Sequence, residues 1–241
     1  MPTEAEKVIH ARAAVACEAA TAAGLPGRFD AWSEDGLLTV LTTAPDLRFL
    51  RTISGITEEN LPRAVRLAGA SCWDGDPPTL VLPEGLLPRG AGLVPAGVRP
   101  IATLPLTLAE PETEVDDSPD IDVFLRVLLD GYESGDAVTA FLAAEHADPR
   151  IRRSLLLEDG VPISAAALSS HGPGVLLGGS ATPRAHRGKG AQARLLLHGL
   201  TAAAREGHRF AVATAVEGSP SLSNLRRAGA RVHPRQAFRL G

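Results

Sequence analysis

Cysteine is nearly missing from this chain: Cys17 and Cys72 are the only two in 241 residues. A disulfide framework needs more, and neither sits at the spacing of a zinc site, so no cross-link and no structural metal is expected. Lysine is equally scarce, with Lys7 and Lys189 the only two among 24 basic residues. Arginine, alanine, glycine and proline are abundant instead, as GC-rich coding sequences give, which points to a bacterial source and says nothing about mechanism. Aromatic residues make up 4%, with a single tyrosine, Tyr132. No apolar run approaches the roughly 20 residues that span a bilayer. The opening stretch, MPTEAEKVIHARAAVACEAA, carries acids early and no apolar core of a secretion signal. No membrane association and a cytoplasmic location are the expectations.

What remains is the material of an ordinary globular protein: 44% hydrophobic, 22% charged, net charge −4. That supports one large or two small domains with a real core. The charge is unevenly placed. Residues 184–241 hold 11 Lys/Arg against Glu206 and Glu217, a net of +9, while the preceding 183 residues hold 13 basic and 26 acidic groups, a net of −13. Either the basic end meets an anion, or it pairs with the acidic remainder of the chain. Nucleic acid is the weaker partner, because the basic segment has one aromatic residue after residue 210, Phe238, and no groove-reading motif.

Patterning gives an order of elements. Thr3-Glu4-Ala5-Glu6 has capping-box spacing before an Ala-rich helix that runs to Gly24. LLTVLTT reads as a strand, Thr57 as the cap of a helix through TEENLPRAVRLAG, and Thr79–Leu82 and IATLPLTLA as strands. Residues 110–122, EPETEVDDSPDID, hold seven carboxylates and two prolines and read as a solvated connection. Ser118-Pro119 then caps DIDVFLRVLLDG, followed by the helix DAVTAFLAAEHA. RSLLLE and VPISAAALSS flank Asp159-Gly160, a hairpin signal, and GVLLGGSAT is a third strand. A long helix, the strand FAVATAV, a short helix near SLSNLRRAG and a terminal strand QAFRL complete an α/β (α+β) pattern over about residues 115–241.

The stretch HRGKGAQARLLLHGL carries the chemistry. From residue 191 the apolar residues Ala193, Leu196, Leu197, Leu200, Ala203 and Ala204 recur at helical spacing, opposite Arg194, His198, Thr201 and Arg205. Arg187, Gly188, Lys189 and Gly190 stand immediately before that helix and after a strand. A helix start exposes amides without intrahelical partners, its dipole favours an anion, and glycines let backbone approach closely. The loop therefore reads as a phosphate or pyrophosphate cradle; the alternative is a tight solvated turn with incidental cations. A Walker A loop fails, because Pro183 stands at its first Gly and Gly190 follows Lys189 where Ser or Thr is needed, and G-x-G-x-x-G fails after Gly190.

TPRAHRGKGAQARLLLHGLTAAAREGHRFAVATA resembles the acetyl-CoA-binding region of GNAT-family N-acetyltransferases, whose Arg/Gln-x-x-Gly-x-Gly/Ala loop joins the fourth strand to the third helix. Arg187 through Ala191 fill the first five positions, Gln192 departs at the last, and Ala193 follows. SPSLSNLRRAGARV resembles the family's Ser…Asn…Gly-Phe segment, with Ala230 in place of Phe. The resemblance covers about residues 115–241. It implies a GNAT acyl-CoA N-acyltransferase fold, a mixed central sheet flanked by helices, here in tandem with a degenerate GNAT-like N-terminal half. The expected division is 1–109, an acidic linker 110–118, and a catalytic domain 119–241; an unrelated helical cap is the alternative for the first part.

The resemblance further implies acetyl-CoA as cofactor and a small-molecule or amino-acid-like amine as acceptor, acetylated by direct attack. Ser180, Ala181 and Thr182 would face the pantetheine, Arg187, Gly188, Lys189, Gly190, Ala191, Gln192 and Ala193 the pyrophosphate, and Asn224 the cofactor from the opposite side. GVLLGGSAT lacks the family's strand glutamate, which leaves Glu217 as the first candidate base, ahead of Glu145 and His146. Leu225 stands where many members carry a catalytic tyrosine, which leaves Tyr132 or Ser221 as the acid. These losses give a non-catalytic acyl-CoA-binding or regulatory module as the second reading. A homodimer is compatible with the sequence and indicated by no motif.

Overall fold

A computed structural model of the chain describes residues 2–88, 92–110, 114–132 and 134–241. The N-terminal sheet is built from β1 (Phe29–Glu34), β2 (Leu37–Thr42), β3 (Thr52–Ser54), β4 (Thr79–Pro83) and β5 (Leu93–Val98). The second holds β6 (Ile101–Leu104), β7 (Val115–Asp116), β8 (Arg152–Glu158), β9 (Val161–His171), β10 (Gly174–Ala181), β11 (Phe210–Thr214) and β12 (Arg231–His233). The last strand, β13 (Arg235–Leu240), returns to the first sheet. The orders are β1-β2-β3-β4-β13-β5 and β12-β6-β11-β10-β9-β8-β7.

The sheets therefore do not follow the linear division at 110–118. β13 lies between β4 and β5, pairing Phe238 with Leu80 and Pro95. β6, from the first half of the sequence, pairs Ala102 with Ala213 of β11 and with Val232 of β12. The acidic connection is also less free than composition implies. Val115 and Asp116 pair with Leu156 and Leu155, and Asp117 accepts hydrogen bonds from Ser154 Oγ and His198 Nε2, both at 2.8 Å. Residues 111–113 of that connection lie outside the described residues.

Helix α1 (Pro2–Ala22) is the seam. Ala and Val recur on all its sides, and it buries them in three directions. Ala5 and Val8 pack on Ile101, Phe210 and Val212 of the second sheet. Ala16, Cys17 and Ala20 pack on Phe29 and Val40 of the first. Val15 joins Phe124 and Leu128 of α3 (Ile121–Tyr132). A buried ion pair, Arg235 Nη1 to Glu6 Oε1 at 3.0 Å, fastens α1 to β13. The first sheet is covered on its other face by α2 (Leu61–Ala68), whose Ala64 and Ala68 meet Leu37, Leu41 and Ile53. The strand LLTVLT, apolar but for Thr39 and Thr42, is buried throughout because β2 is covered on both faces.

Helix starts differ from the sequence expectations in instructive ways. α1 already includes Thr3, so no capping box forms there. Thr57 and Asn60 exchange hydrogen bonds, N–H to Oδ1 at 2.7 Å and N–H to Oγ1 at 3.3 Å, but they close a turn, and α2 begins only at Leu61 before Pro62. The cap of α3 is Asp120, whose Oδ1 accepts from the amides of Asp122 and Val123, while Ser118 lies in the preceding bend. α4 (Asp136–Ala147), the β8–β9 hairpin, β10, α5 (Ala191–Arg205), β11 and α6 (Pro220–Arg227) form where the pattern places them. Of IATLPLTLA only Ile101–Leu104 is strand.

Candidate functional site

The loop between β10 and α5 lies at the surface and is tied to the fold by the Arg187 side chain. Arg187 Nε donates to the Thr182 carbonyl at 2.9 Å and Nη2 to the Gly131 carbonyl at 3.1 Å, tying the loop to its own strand and to α3. That approach needs a glycine: a Cβ on Gly131 would lie 2.6 Å from Ala181 Cβ. Gly188 and Gly190 take φ of +80° and +81°, the left-handed region, with open space where a Cβ would stand. Lys189 Nζ is exposed and pairs with Glu158 at 3.1 Å. Among the described residues, backbone acceptors for α5 begin at Ala193, whose amide bonds to Gly190 O at 3.0 Å. The amides before it have no acceptor within the helix, and the helix dipole there favours an anion.

Below this turn a polar knot fixes the start of α5. Ser164 Oγ donates to the Ala181 carbonyl at 3.0 Å, so the Thr182 hydroxyl is the donor in their 2.9 Å contact. Gln192 Nε2 donates to both oxygens at 3.0 Å. The knot accounts for the glutamine at the loop's last position: it anchors the first turn of the helix.

β10 and β11 run parallel and pair from Gly174–Phe210 to Leu177–Ala213. Beyond Leu177 they part. β10 bulges at Gly178–Ala181, and Gly179, at φ +59°, sits directly on His146, where any Cβ would overlap Nε2. The opening holds a cleft of about 160 Å³ lined by Tyr132, Gly179, Ser180, Gln192, Ser221 and Asn224. Towards the surface a groove of about 340 Å³ continues between α5 and α6, lined by Ala193, Leu196, Leu197, Asn224 and Arg227. Ala193 and Leu197, expected in the core, thus face this groove, and Leu195 and Thr201 are buried in their stead. On the other side of Tyr132 and Thr214 lies a larger cavity, about 690 Å³, walled by α1, strands of the N-terminal sheet and Arg235 of β13.

Tyr132 lines both the cleft and the large cavity. Burial pushes its hydroxyl above the ordinary pKa of 10, Glu145 adds to this, and the Ser180 amide and Arg12 work against it. Behind the bulge, Arg12 Nε donates to Glu145 at 2.7 Å. His146 Nδ1 donates to the Leu142 carbonyl at 2.8 Å, so Nε2 is the acceptor facing Arg12 Nη2 at 3.4 Å. Burial first, then the Arg12 charge, lowers the His146 pKa against the opposing pull of Glu145 and keeps the ring neutral.

No family model matches the chain, and no curated protein does either. Solved structures do match. A GCN5-related N-acetyltransferase from Kribbella flavida is 18% identical, with a TM-score of 0.60, over 95% of this chain and 96% of its own. A tandem GNAT protein from the clavulanic acid biosynthesis pathway is 15% identical, with a TM-score of 0.55, over 97% and 94%. A GCN5-related N-acetyltransferase from Sphaerobacter thermophilus is 16% identical, with a TM-score of 0.54, over 84% and 78%. The chain has the GNAT fold. At these identities the likeness is one of fold, and it extends through both halves of the chain.

Within the GNAT frame, the cleft brings together Tyr132, Ser180, Gln192, Ser221 and Asn224. It leaves others outside. Ala181 packs in the core with Phe124 and Ala165, and Thr182 spends its hydroxyl in the knot, so of the three strand residues only Ser180 lines the cleft. Ala191 is buried against Leu156 and Ile163. Glu217 is half exposed on the turn after β11, 3.6 Å from Arg226, and lines neither cavity, because the turn carries it outward. Glu145 and His146 are buried behind the bulge rather than in the cleft. Ser164, Gly131 and Arg227 were missed: a strand serine, a helix glycine and one arginine among many carry no local signature.

The basic end is partly met from within, through Lys189–Glu158, Arg194–Glu114, Arg226–Glu217 and Arg235–Glu6. No helix of the described residues is long and apolar enough to cross a membrane.

Proposed function

We propose that this protein is an acetyl-CoA-dependent N-acetyltransferase that acts on a small amine. The carrying observation is continuity: the groove between α5 and α6 shares Leu196 and Asn224 with the cleft at the splay of β10 from β11, and the cleft shares Tyr132 and Thr214 with the large cavity. The residues fit such a cofactor. The glycine loop supplies amides for a pyrophosphate, Arg227 supplies a cation at the groove, Leu196 and Leu197 supply apolar wall, and Ser180 and Asn224 supply polar contacts on opposite sides. Gly188, Lys189, Gly190, Ala191 and Ala193 act through backbone, and Arg187 by holding the loop. A cytoplasmic setting, where acetyl-CoA is at hand, agrees with this reading.

Bound there, acetyl-CoA supplies a thioester: the acceptor nitrogen bonds to the acetyl carbon as the carbon–sulfur bond breaks and the thiolate leaves. Tyr132 holds its proton at neutral pH and sits where that proton can pass to the thiolate; Ser221 offers a second hydroxyl in the same cleft. No carboxylate lines either cavity among the described residues, so the acceptor nitrogen gives its proton to solvent through the open side. Most of the rate then comes from positioning. The test is thiol release from acetyl-CoA with a panel of amines. Turnover that drops at least about tenfold in Tyr132→Phe, with acetyl-CoA affinity kept, is the expected result. Tight acetyl-CoA binding without turnover of any amine would leave a non-catalytic binding module.

A further inference from the structure

The large cavity has a chemistry of its own. Most of its wall is apolar, from Ile9 and Ala13 of α1 across Val40 and Val81 to Pro100. Two guanidinium groups face it, those of Arg99 and Arg235. They are not equivalent. Arg235 is buried and answered by Glu6 at 3.0 Å. Arg99 is half-buried, and its described side-chain partner is a single carbonyl, Phe49 O, reached by Nη1 at 3.1 Å. A guanidinium carries five N–H donors, so most of this fork is unspent.

Every described influence on the Arg99 charge is unfavourable: burial first, then repulsion from Arg235 and Arg239. No carboxylate lines the cavity among the described residues, and His10, which also faces it, is held towards its neutral form by burial. A cation kept in a mostly apolar wall without a counter-charge is costly unless an anion arrives to share it. The anion best matched to a planar fork is a carboxylate or a phosphate. A phosphate would bring two charges into a space that offers one spare cation and a mostly apolar surface, so the match is a carboxylate.

Resting on the acetyltransferase reading, we propose that Arg99 anchors the carboxylate of the acceptor, and that the acceptor is an amino acid or similar amino-carboxylic acid with an apolar body. Its amine then points towards Tyr132 and Thr214, the residues through which the cavity meets the splay. Its side chain fills the apolar wall. A volume of about 690 Å³ is ample for a large apolar amino acid. Arg99 acts here as a specificity-determining contact and takes no part in bond making.

Matched pairs of probes decide this: L-phenylalanine against 2-phenylethylamine, and L-leucine against 3-methylbutylamine, each pair differing by one carboxylate. Calorimetry on the full chain measures their binding, and thiol release measures their acetylation. Acetyl-CoA affinity on the same samples reports whether the fold and the cofactor site are intact. The carboxylate member of each pair should bind at least about tenfold more tightly, as a charge-assisted hydrogen-bonded pair requires. Arg99→Gln should abolish that preference, and Arg99→Lys should restore part of it. Equal or better binding of the bare amines, an undiminished preference in Arg99→Gln, or binding of none of the four overturns the proposal. Because the acceptor titration does not depend on turnover, a carboxylate preference without acetylation would sink the acetyltransferase reading and leave the anchor standing.

Discussion

Single side chains decide whether the site holds its shape. Gly179 is the most exposed to test, since its left-handed backbone and its contact with His146 both forbid a side chain. Gly179→Ala should cost about 2 kcal/mol or more in chemical denaturation and weaken acetyl-CoA binding, because the bulge that parts β10 from β11 must shift. Arg187→Gln should cost about 1–2 kcal/mol through the two carbonyls it releases, Thr182 and Gly131. Arg187→Glu should in addition weaken acetyl-CoA by at least about tenfold, as a negative charge enters an anion cradle. Glu217→Gln should leave kcat within about twofold, as for surface positions in general. Proton release to solvent gives a definite pH profile. The rate should climb with pH towards the acceptor's own pKa, since the attacking nitrogen must be neutral.

Elements were legible where the pattern was local. The helix after the glycine loop, the Asp159-Gly160 hairpin and the strand before the loop each announce themselves within a dozen residues. The strand QAFRL was also legible as a strand, but its neighbours were not: nothing local says that it leaves the adjacent β12 and inserts between β4 and β5. The same holds for α5. Spacing alone places Ala193 and Leu197 on the buried face, yet they line a groove, because an apolar stripe facing a ligand channel and one facing a core look alike in sequence. Glu217 stands near the end of β11 in sequence, which makes it a candidate base, and a turn of two or three residues is enough to carry it outward. Deleting β13 should show how far the exchange matters: a chain ending at His233 should lose cooperative unfolding as a whole, since the strand lies inside one sheet while its Arg235 pairs with the helix that serves both.

The whole molecule behaves as one body because α1, β6 and β13 each link the two sheets. Residues 119–241 expressed alone should therefore fail to fold, lacking the β6 pairing of β11 and the α1 cover of Phe210, whereas co-expression with 1–118 should restore a cooperative transition. Acid should loosen the whole as well. Burial lowers the pKa of His10, His146, His171 and His233 below 6.5. The unfolded chain then takes up protons that the folded chain refuses, so stability is complete above 6.5 and is lost as pH falls from there. Urea midpoints measured between about pH 7 and pH 5 should fall, and His146→Gln should flatten part of the slope. A calorimetric titration of the intact chain with acetyl-CoA, beside dephospho-CoA and ATP, tests the cradle and the path that leads from it most directly. Saturable binding in the micromolar range, one equivalent per chain, weaker for dephospho-CoA and absent for ATP, is the predicted result. No heat of binding with acetyl-CoA would reduce HRGKGAQ to a basic turn and contradict the account.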